Sequence, residues 1–328
     1  MKDCLIVFDT SAYRNFVPKR SEEEAMSKIS RLINLEKSNN IKALLATDVA
    51  VELYSHLGDL NDCEYNRCKN SVISQLMHCF EGEKVRYILN SDIHLCKIVF
   101  DKLPELSMNE QNKILKMSEY LYSNYSKEVL IIYAKNFNEV SNLSNKLKTE
   151  YIDKIKSIFG DYIKLYDKYE PPSMDEVILL KSNLRNFKEE LLNDVSIYKL
   201  AKGLLKRAAN TLNIDLENVT EIDKNEKIDN IRSHFLVPIF FFRNILKNII
   251  NSNGTYNFDN PKNGNDFWDY QLSFLIGNES NGKKIIFVTD DGKILTAAKD
   301  SGYSDSVIKL GDYLMKIGFS SSSSKVSD

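Results

Sequence analysis

The chain has 328 residues, of which 43% are hydrophobic and 27% charged, and this composition excludes a disordered chain and predicts a globular one with roughly two structural parts. Lys and Arg number 44 against 46 Asp and Glu, so the formal net charge of -2 excludes a global attraction to polyanions, which must be bound through local basic patches if at all. The odd number of cysteines indicates free thiols in a reducing compartment, the cytoplasm, and no apolar run is long enough to predict a signal peptide or a membrane span.

The N-terminal residues 1–60 predict alternating strands and helices. The predicted elements are a strand over residues 4–8, a helix over 21–35, a strand over 41–46 and a helix over 48–57. Ser21 and Glu24 have the spacing of a capping box, which marks where the first helix begins. A helix between two strands is a crossover, so we expect the two strands to be parallel.

The middle of the chain, residues 61–254, predicts a mainly helical insertion. Amphipathic patterns predict helices over residues 110–122, 138–158, 174–193 and 197–212. Short apolar runs at 86–89 and 129–133 are compatible with further strands, and periodicity does not decide between strand and helix for runs of this length.

The C-terminal part returns to strand and helix. The pattern predicts a loop over residues 254–264, a helix over 266–276, a strand over 284–288, a helix over 292–299 and a short strand over 306–310. We therefore expect residues 1–60 and 255–318 to form one discontinuous α/β domain, with residues 319–328 as a polar tail.

Six acidic residues lie where a parallel sheet would gather them, at the ends of strands or on the helices that follow. They are Asp9, Glu52, Asp266, Asp269, Asp290 and Asp291. Taken singly, each has a structural explanation as a helix cap, a first-turn acid or an exposed helix residue. Taken together, they would meet at the carboxyl edge of the sheet and form the oxygen-rich site that Mg²⁺ or Mn²⁺ binds.

In their order and strand context these acids resemble the PIN-domain family of ribonucleases. The residues that carry the resemblance are Asp9-Thr10-Ser11, Glu52, Asp269 and Val288-Thr289-Asp290-Asp291. The resemblance implies a three-layer α/β/α sandwich with a central parallel sheet, Mg²⁺ or Mn²⁺ in an acidic pocket, and a metal-dependent endoribonuclease. The implied substrate is single-stranded or structured RNA.

The resemblance also implies roles for individual acids. Asp9, Glu52, Asp269 and Asp291 are the implied catalytic residues, and all six acids are candidate metal ligands, because Asp290 can take the place of Asp291 and Asp266 that of Asp269. The long insertion departs from compact members of the family. It is compatible with a substrate clamp, a surface for an inhibitory or regulatory protein, or a homo-oligomer interface, and with a toxin, a defence effector or an RNA-processing enzyme.

Two other functions stay open at this stage. A non-catalytic PIN-like scaffold would bind protein or RNA through the helical insertion. A haloacid-dehalogenase-type phosphohydrolase also begins with a strand that ends in an aspartate, but it needs a second acid two residues later, where this chain has Ser11.

Two groups of polar residues have simpler explanations. A solvated helix face explains one basic cluster better than a site for an RNA backbone. This cluster consists of Lys199, Lys202, Lys206 and Arg207. A second group lacks the short spacing of structural zinc sites, so we expect its thiols to lie in the core. It consists of Cys63, Cys68, His78 and Cys79.

Overall fold

A computed structural model describes residues 2–17, 21–158, 185–186, 188–252, 256–257, 260–280 and 282–319. Within these ranges no helix is both long and apolar enough to cross a membrane. Most of the predicted helix over 174–193, part of the predicted loop over 254–264 and the polar tail beyond residue 319 lie outside the described residues.

A mostly parallel sheet forms the centre of the fold. Its strands are β1 (Leu5–Phe8), β2 (Lys42–Ala43), β7 (Glu279–Ser280), β8 (Lys283–Val288) and β9 (Val307–Ile308). β1 pairs in parallel with β2 on one side and with β8 on the other, and β9 extends the parallel order beyond β8. β7 is antiparallel to β8. All four residues of β1 are buried, as the unbroken apolar run predicts for a central strand.

Two further strand pairs lie beside this sheet. β3 (Leu45–Ala46) is parallel to β6 (Tyr87–Ile88), and β4 (Phe80–Glu81) is antiparallel to β5 (Lys84–Val85). The predicted strand over 41–46 is thus divided, because the chain changes partner at Leu44: its amide donates to Ile6 on β1, whereas the amide of Leu45 donates to Arg86. The apolar run over 86–89 contains strand β6.

Helices surround these strands. They are α1 (Thr10–Phe16), α2 (Glu22–Ser38), α3 (Thr47–Ser55), α4 (Tyr65–Cys79), α5 (Ser91–Phe100), α6 (Glu105–Asn124), α7 (Lys127–Ile132), α8 (Ala134–Ile158), α9 (Asp194–Thr211), α10 (Glu221–His234), α11 (Leu236–Asn251), α12 (Pro261–Ser273), α13 (Gly292–Asp300) and α14 (Leu310–Lys316). The run over 129–133 is therefore helical rather than a strand. Ser126 caps this helix by accepting from the amide of Val129, which commits the chain to a helical turn.

Local sequence explains where α2 begins and which face it buries. Ser21 accepts a hydrogen bond from the amide of Glu24 at 3.1 Å, as the predicted N-cap requires. The buried stripe then follows the spacing of one helix face, with Ala25, Ile29 and Leu32 in the core. Glu36 lies on the same face of the helix, so its carboxylate is buried in the apolar core.

The buried side chains form two hydrophobic clusters. The larger contains residues of β1, β8, α3, α11 and α12, so the two ends of the chain share one core. The smaller is formed mainly by α5, α9, α10 and α11. The chain thus has the predicted α/β class, with a mostly parallel central sheet and many helices. The predicted boundaries between domain and insertion stay a prediction.

Candidate functional site

Asp9 lies at the carboxyl edge of the sheet because β1 and β8 are parallel neighbours that end together. Its amide donates to the carbonyl of Val288 at 3.1 Å. Its carboxylate caps α1, accepting from the amide of Ala12 at 2.6 Å, and also accepts from the hydroxyls of Ser11 and Thr289. The residue is only 2% exposed. Burial raises the pKa of Asp9 to about 7, against the lowering effect of these hydrogen bonds.

The acidic pair after β8 is divided between two environments. Asp291 caps α13, with its Oδ1 accepting from the amides of Lys293 and Ile294, and it lines the same pocket as Asp9. Asp290 is exposed and does not line that pocket, since its carboxylate accepts instead from Asn15 and from the amide of Leu310. The exchange of Asp290 for Asp291 that the resemblance allowed therefore finds no support in this geometry.

Helix α12 brings two more acids into the pocket. The predicted helix over 266–276 begins earlier, at Pro261, so Asp266 and Asp269 lie in its second and third turns rather than at its N-terminus. Asp266 is 3% exposed and pairs with the ammonium of Lys293. Burial, and then the negative charge of Asp291, raise the pKa of Asp269 well above its usual range.

Glu52 completes the set from α3, which follows strand β3. Its Oε2 accepts the hydroxyl hydrogen of Thr10 at 2.5 Å. Thr10 directly follows Asp9 in the sequence. This hydrogen bond therefore links α3 to the edge of the sheet where Asp9 lies. Glu52 and Asp269 line the same pocket, and the charge of Glu52 contributes to the raised pKa of Asp269.

These acids line one pocket of about 320 Å³. Five of the six predicted site residues contribute to it: Asp9, Glu52, Asp266, Asp269 and Asp291. The elements that supply them are β1, α3, α12 and the β8–α13 connection, so residues far apart in sequence are brought together by the fold.

A hard divalent cation fits the chemistry of this donor set. The acidic oxygens are the ligands that Mg²⁺ and Mn²⁺ prefer. Burial, and then the neighbouring carboxylates, raise the pKa of Asp269, and a bound cation would favour its ionised form. Among the described residues, no three Asp, Glu, His or Cys side chains are already drawn together at metal-binding distances.

Three basic residues border the acids, and sequence analysis did not identify them. Arg14 and Lys293 line the pocket; Arg14 also pairs with Glu64 at 2.6 Å. Lys148 comes from the long helix α8 and donates to Asn265 at 2.9 Å. Burial lowers the pKa of Lys148, while nearby acids of the pocket oppose this effect. Lys293 follows Asp291 by two residues and could have been noticed, but nothing in the sequence relates α8 to this pocket.

The other predicted groups lie elsewhere. His78 is buried in the core, where its ring nitrogens contact Tyr13 and Glu36, and Cys68 and Cys79 are buried free thiols. Arg207 does not lie on a solvated face as its helix pattern indicated. Its guanidinium is half-buried and donates to Asp92 at 2.8 Å and to Gln271 at 2.7 Å.

Comparison with known proteins gives one distant relative. The chain is 23% identical over 225 residues to a protein named ATPase ASNA1 homolog from Plasmodium berghei (strain Anka). The match covers 60% of this chain, and the chain spans about three fifths of the relative, since 59% of that protein is covered. No protein-family profile matches the chain. No solved structure matches it either.

This relative overturns the resemblance to PIN-domain ribonucleases. The predicted family, the endoribonuclease activity and the RNA substrate are wrong, because the similarity of the chain is to an ATPase. The predicted inhibitory or regulatory protein partner, the PIN-like scaffold and the dehalogenase-type phosphohydrolase do not match it either. The prediction was wrong because it depended on short motifs in which an acid follows a strand. Asp9 and Asp291 both cap helices, a local role that any α/β chain can use.

One segment of the chain has part of the spacing of a phosphate-binding P-loop, a motif found in many ATPases. Residues 277–283 have the spacing G-x-x-x-x-G-K, but Lys284 stands where the motif has Ser or Thr. The segment contains β7 and ends at the first residue of β8, whereas a P-loop leads from a strand into a helix. It also lies at the opposite end of β8 from Thr289 and the acids. The candidate site is therefore the acidic pocket and not this segment.

Proposed function

We propose that the acidic pocket hydrolyses a phosphoanhydride bond of a nucleoside triphosphate with the help of Mg²⁺ or Mn²⁺. The observation that carries this proposal is the convergence of five carboxylates on one pocket bordered by Arg14 and Lys293. The substrate class follows from the relative, whose name is that of an ATPase. The chain would be an enzyme of the hydrolase class.

The acids have distinct tasks in this proposal. Asp9, Glu52, Asp269 and Asp291 would hold the cation, while Asp266 keeps Lys293 in place through its ion pair. When bound, the cation activates water and neutralises charge on phosphate oxygens. The Thr10 and Thr289 hydroxyls orient their carboxylates by donating to Glu52 and Asp9. These hydrogen bonds fix the acids before substrate arrives.

The basic residues would bind the phosphate chain. Lys293 lies on the first turn of α13, whose N-terminal amides add partial positive charge on the same side. Arg14 presents a planar guanidinium suited to two phosphate oxygens, although it is shared with Glu64. Lys148 would add a third cation from α8. Positive charge beside carboxylates is what binding of a metal–phosphate complex requires.

Three finer features belong to the same proposal. The catalytic part would consist of residues 1–60 and 255–318, with 61–254 as the insertion, since the parallel pairing of β1 with β8 joins the two ends. The helices would cover both faces of the central sheet as a three-layer sandwich. The cytoplasm would be the location, in keeping with the free thiols of the chain.

Phosphate release from ATP tests this proposal. Purified protein should release inorganic phosphate with Mg²⁺ or Mn²⁺ and stop when EDTA is added. Asp269→Asn should reduce the rate about a hundredfold or more, which corresponds to about 3 kcal/mol of lost transition-state stabilisation.

Asp290→Asn is the matched control, because it makes the same change directly beside Asp291 but outside the pocket. Its rate should stay within about twofold of the wild type. Absence of release with every nucleoside triphosphate and both metals, or full activity of Asp269→Asn, would reject the proposal.

A further inference from the structure

A second and larger cavity, distinct from the acidic pocket, lies between helices α3, α6 and α8. Its volume is about 670 Å³, within the range of small-molecule sites. Helix α12 closes one side of it with Trp268, which is 2% exposed. Apolar side chains such as Val51, Ile114 and Leu147 form much of its wall. The cavity is therefore large enough for a ligand of nucleoside size.

Three polar atoms that belong to residues lining this cavity are buried without a hydrogen-bond partner among the described residues. They are Nε2 of Gln111, Nε1 of Trp268 and Oδ2 of Asp48. Gln111 is 2% exposed, and its Oε1 accepts from the amide of Asn90 at 2.8 Å, which leaves the Nε2 amide as a free donor. A buried donor or acceptor without a partner costs about 1–3 kcal/mol. Two donors and one carboxylate oxygen of the lining residues thus lack a partner among the described residues.

An aromatic surface borders the same cavity. The rings of Tyr120 and Tyr133 are stacked, with centroids 4.8 Å apart and planes inclined by 25°. Tyr120 is 42% exposed, so part of this pair is accessible to solvent. Met117 lies on the same helix and lines the cavity with them. A flat ring can stack on such a surface, whereas a flexible aliphatic chain gains less from it.

We propose that this cavity binds the purine base of a nucleoside. A purine offers ring nitrogens that accept from Gln111 and Trp268, and N–H groups that donate to Asp48. Its flat two-ring system offers a larger face for stacking on the tyrosine pair than a single ring does. The proposal does not depend on the hydrolysis proposed for the acidic pocket, because a base without phosphate needs none of those acids.

The two cavities share structural elements. Helix α3 supplies Asp48 to this cavity and Glu52 to the acidic pocket. Helix α12 supplies Trp268 to one and Asp269 to the other, since consecutive residues of a helix point about 100° apart. A purine bound here would contact both helices that carry the acids.

Fluorescence of Trp268 gives a direct test, because it is the sole tryptophan of the chain. Adenosine, guanosine, cytidine and uridine are titrated separately into the full-length protein, and titration calorimetry is run in parallel. We expect saturable binding of at least one purine nucleoside, with a Kd at least about tenfold lower than for either pyrimidine.

Two neighbouring side-chain amides on α6 provide matched variants. Gln111→Leu should weaken purine binding about tenfold or more, because it removes the amide donor. Asn112→Leu also replaces an amide by leucine, but at the next position, where the side chain is exposed and does not line the cavity, so it should leave the Kd unchanged. Thermal melts followed by circular dichroism show whether each variant is folded.

Tyr120→Ala is a second variant that keeps the test decisive if Gln111→Leu does not fold. Its partly exposed ring contributes little to the core, so the fold should persist while purine affinity falls about tenfold. The proposal is overturned by absence of binding to both purines at millimolar concentrations, by equal binding of the pyrimidines, or by unchanged affinity in the folded variants.

Discussion

Thr289 donates its hydroxyl hydrogen to Oδ2 of Asp9, and 280 positions of sequence separate the two residues. The bond is buried at the carboxyl edge of the sheet, where β1 and β8 end side by side. It ties the first strand of the chain to the connection that leads into α13. The acidic pocket thus depends on a contact between the two ends of the sequence.

Substitution of Thr289 by Val should therefore weaken both stability and activity. The valine keeps the shape of the side chain but removes the donor, and Asp9 loses a buried hydrogen bond. We expect the free energy of unfolding to fall by about 1–2 kcal/mol in urea denaturation, and phosphate release to slow. Thr296→Val is the control, because Thr296 is exposed on α13 and donates only to the carbonyl of Gly292. Equal effects of the two variants would contradict the role of Thr289.

Asp269→Asn should make the metal-free protein more stable while it abolishes activity. Burial and neighbouring carboxylates disfavour the ionised form of Asp269, so a neutral amide relieves the repulsion. We expect the melting temperature in EDTA to rise by about 2–4 °C. Excess Mg²⁺ should stabilise the wild type more than the variant, because only the wild type keeps the full ligand set. A lower melting temperature of the variant in EDTA would be incompatible with a repulsive cluster.

Glu36 should be a major determinant of stability, although it does not line the acidic pocket. Its carboxylate accepts from Tyr313 at 2.5 Å and contacts Nε2 of His78 at 2.7 Å, all within the core. Glu36→Ala leaves these polar groups buried without a partner. We expect a loss of about 3 kcal/mol in urea denaturation. Glu23→Ala on the exposed face of the same helix should change stability by less than about 0.5 kcal/mol. A comparable loss in both variants would contradict a special contribution of the buried network.

Asp48 should make the stability of the protein depend on pH. Burial, and then the charge of Asp92, raise the pKa of Asp48 to about 7, while Arg207 opposes this shift. A raised pKa in the folded state means that ionisation of Asp48 destabilises the fold. The penalty is absent below about pH 4, grows as the pH rises toward 7 and is complete above it.

Asp48→Asn should remove this dependence. We expect the variant to match the wild type at pH 4 and to be more stable at pH 8, by at most about 4 kcal/mol. Urea denaturation of both proteins at a series of pH values measures the difference. A constant difference at all pH values would contradict ionisation of Asp48 as its cause.

Much of the local structure could be predicted because its signals lie within a few residues. Ser21 caps α2 as its spacing with Glu24 indicates, and β1 is a buried strand as its apolar run indicates. The helix over Asp266 and Asp269 was also predicted, but its start at Pro261 was missed. The run over 129–133 could not be assigned, since five residues do not distinguish the two periods.

From the sequence alone one can place strands, helix caps and acids at strand ends, since each depends on neighbouring residues and on the twofold or 3.6-residue repeat of the backbone. The tertiary structure decided which acids share a pocket, turning Asp291 inward and Asp290 outward. It also brought Lys148 toward the acids and placed Glu36 beside His78. These contacts depend on how distant helices pack against the sheet, and no local pattern encodes that packing.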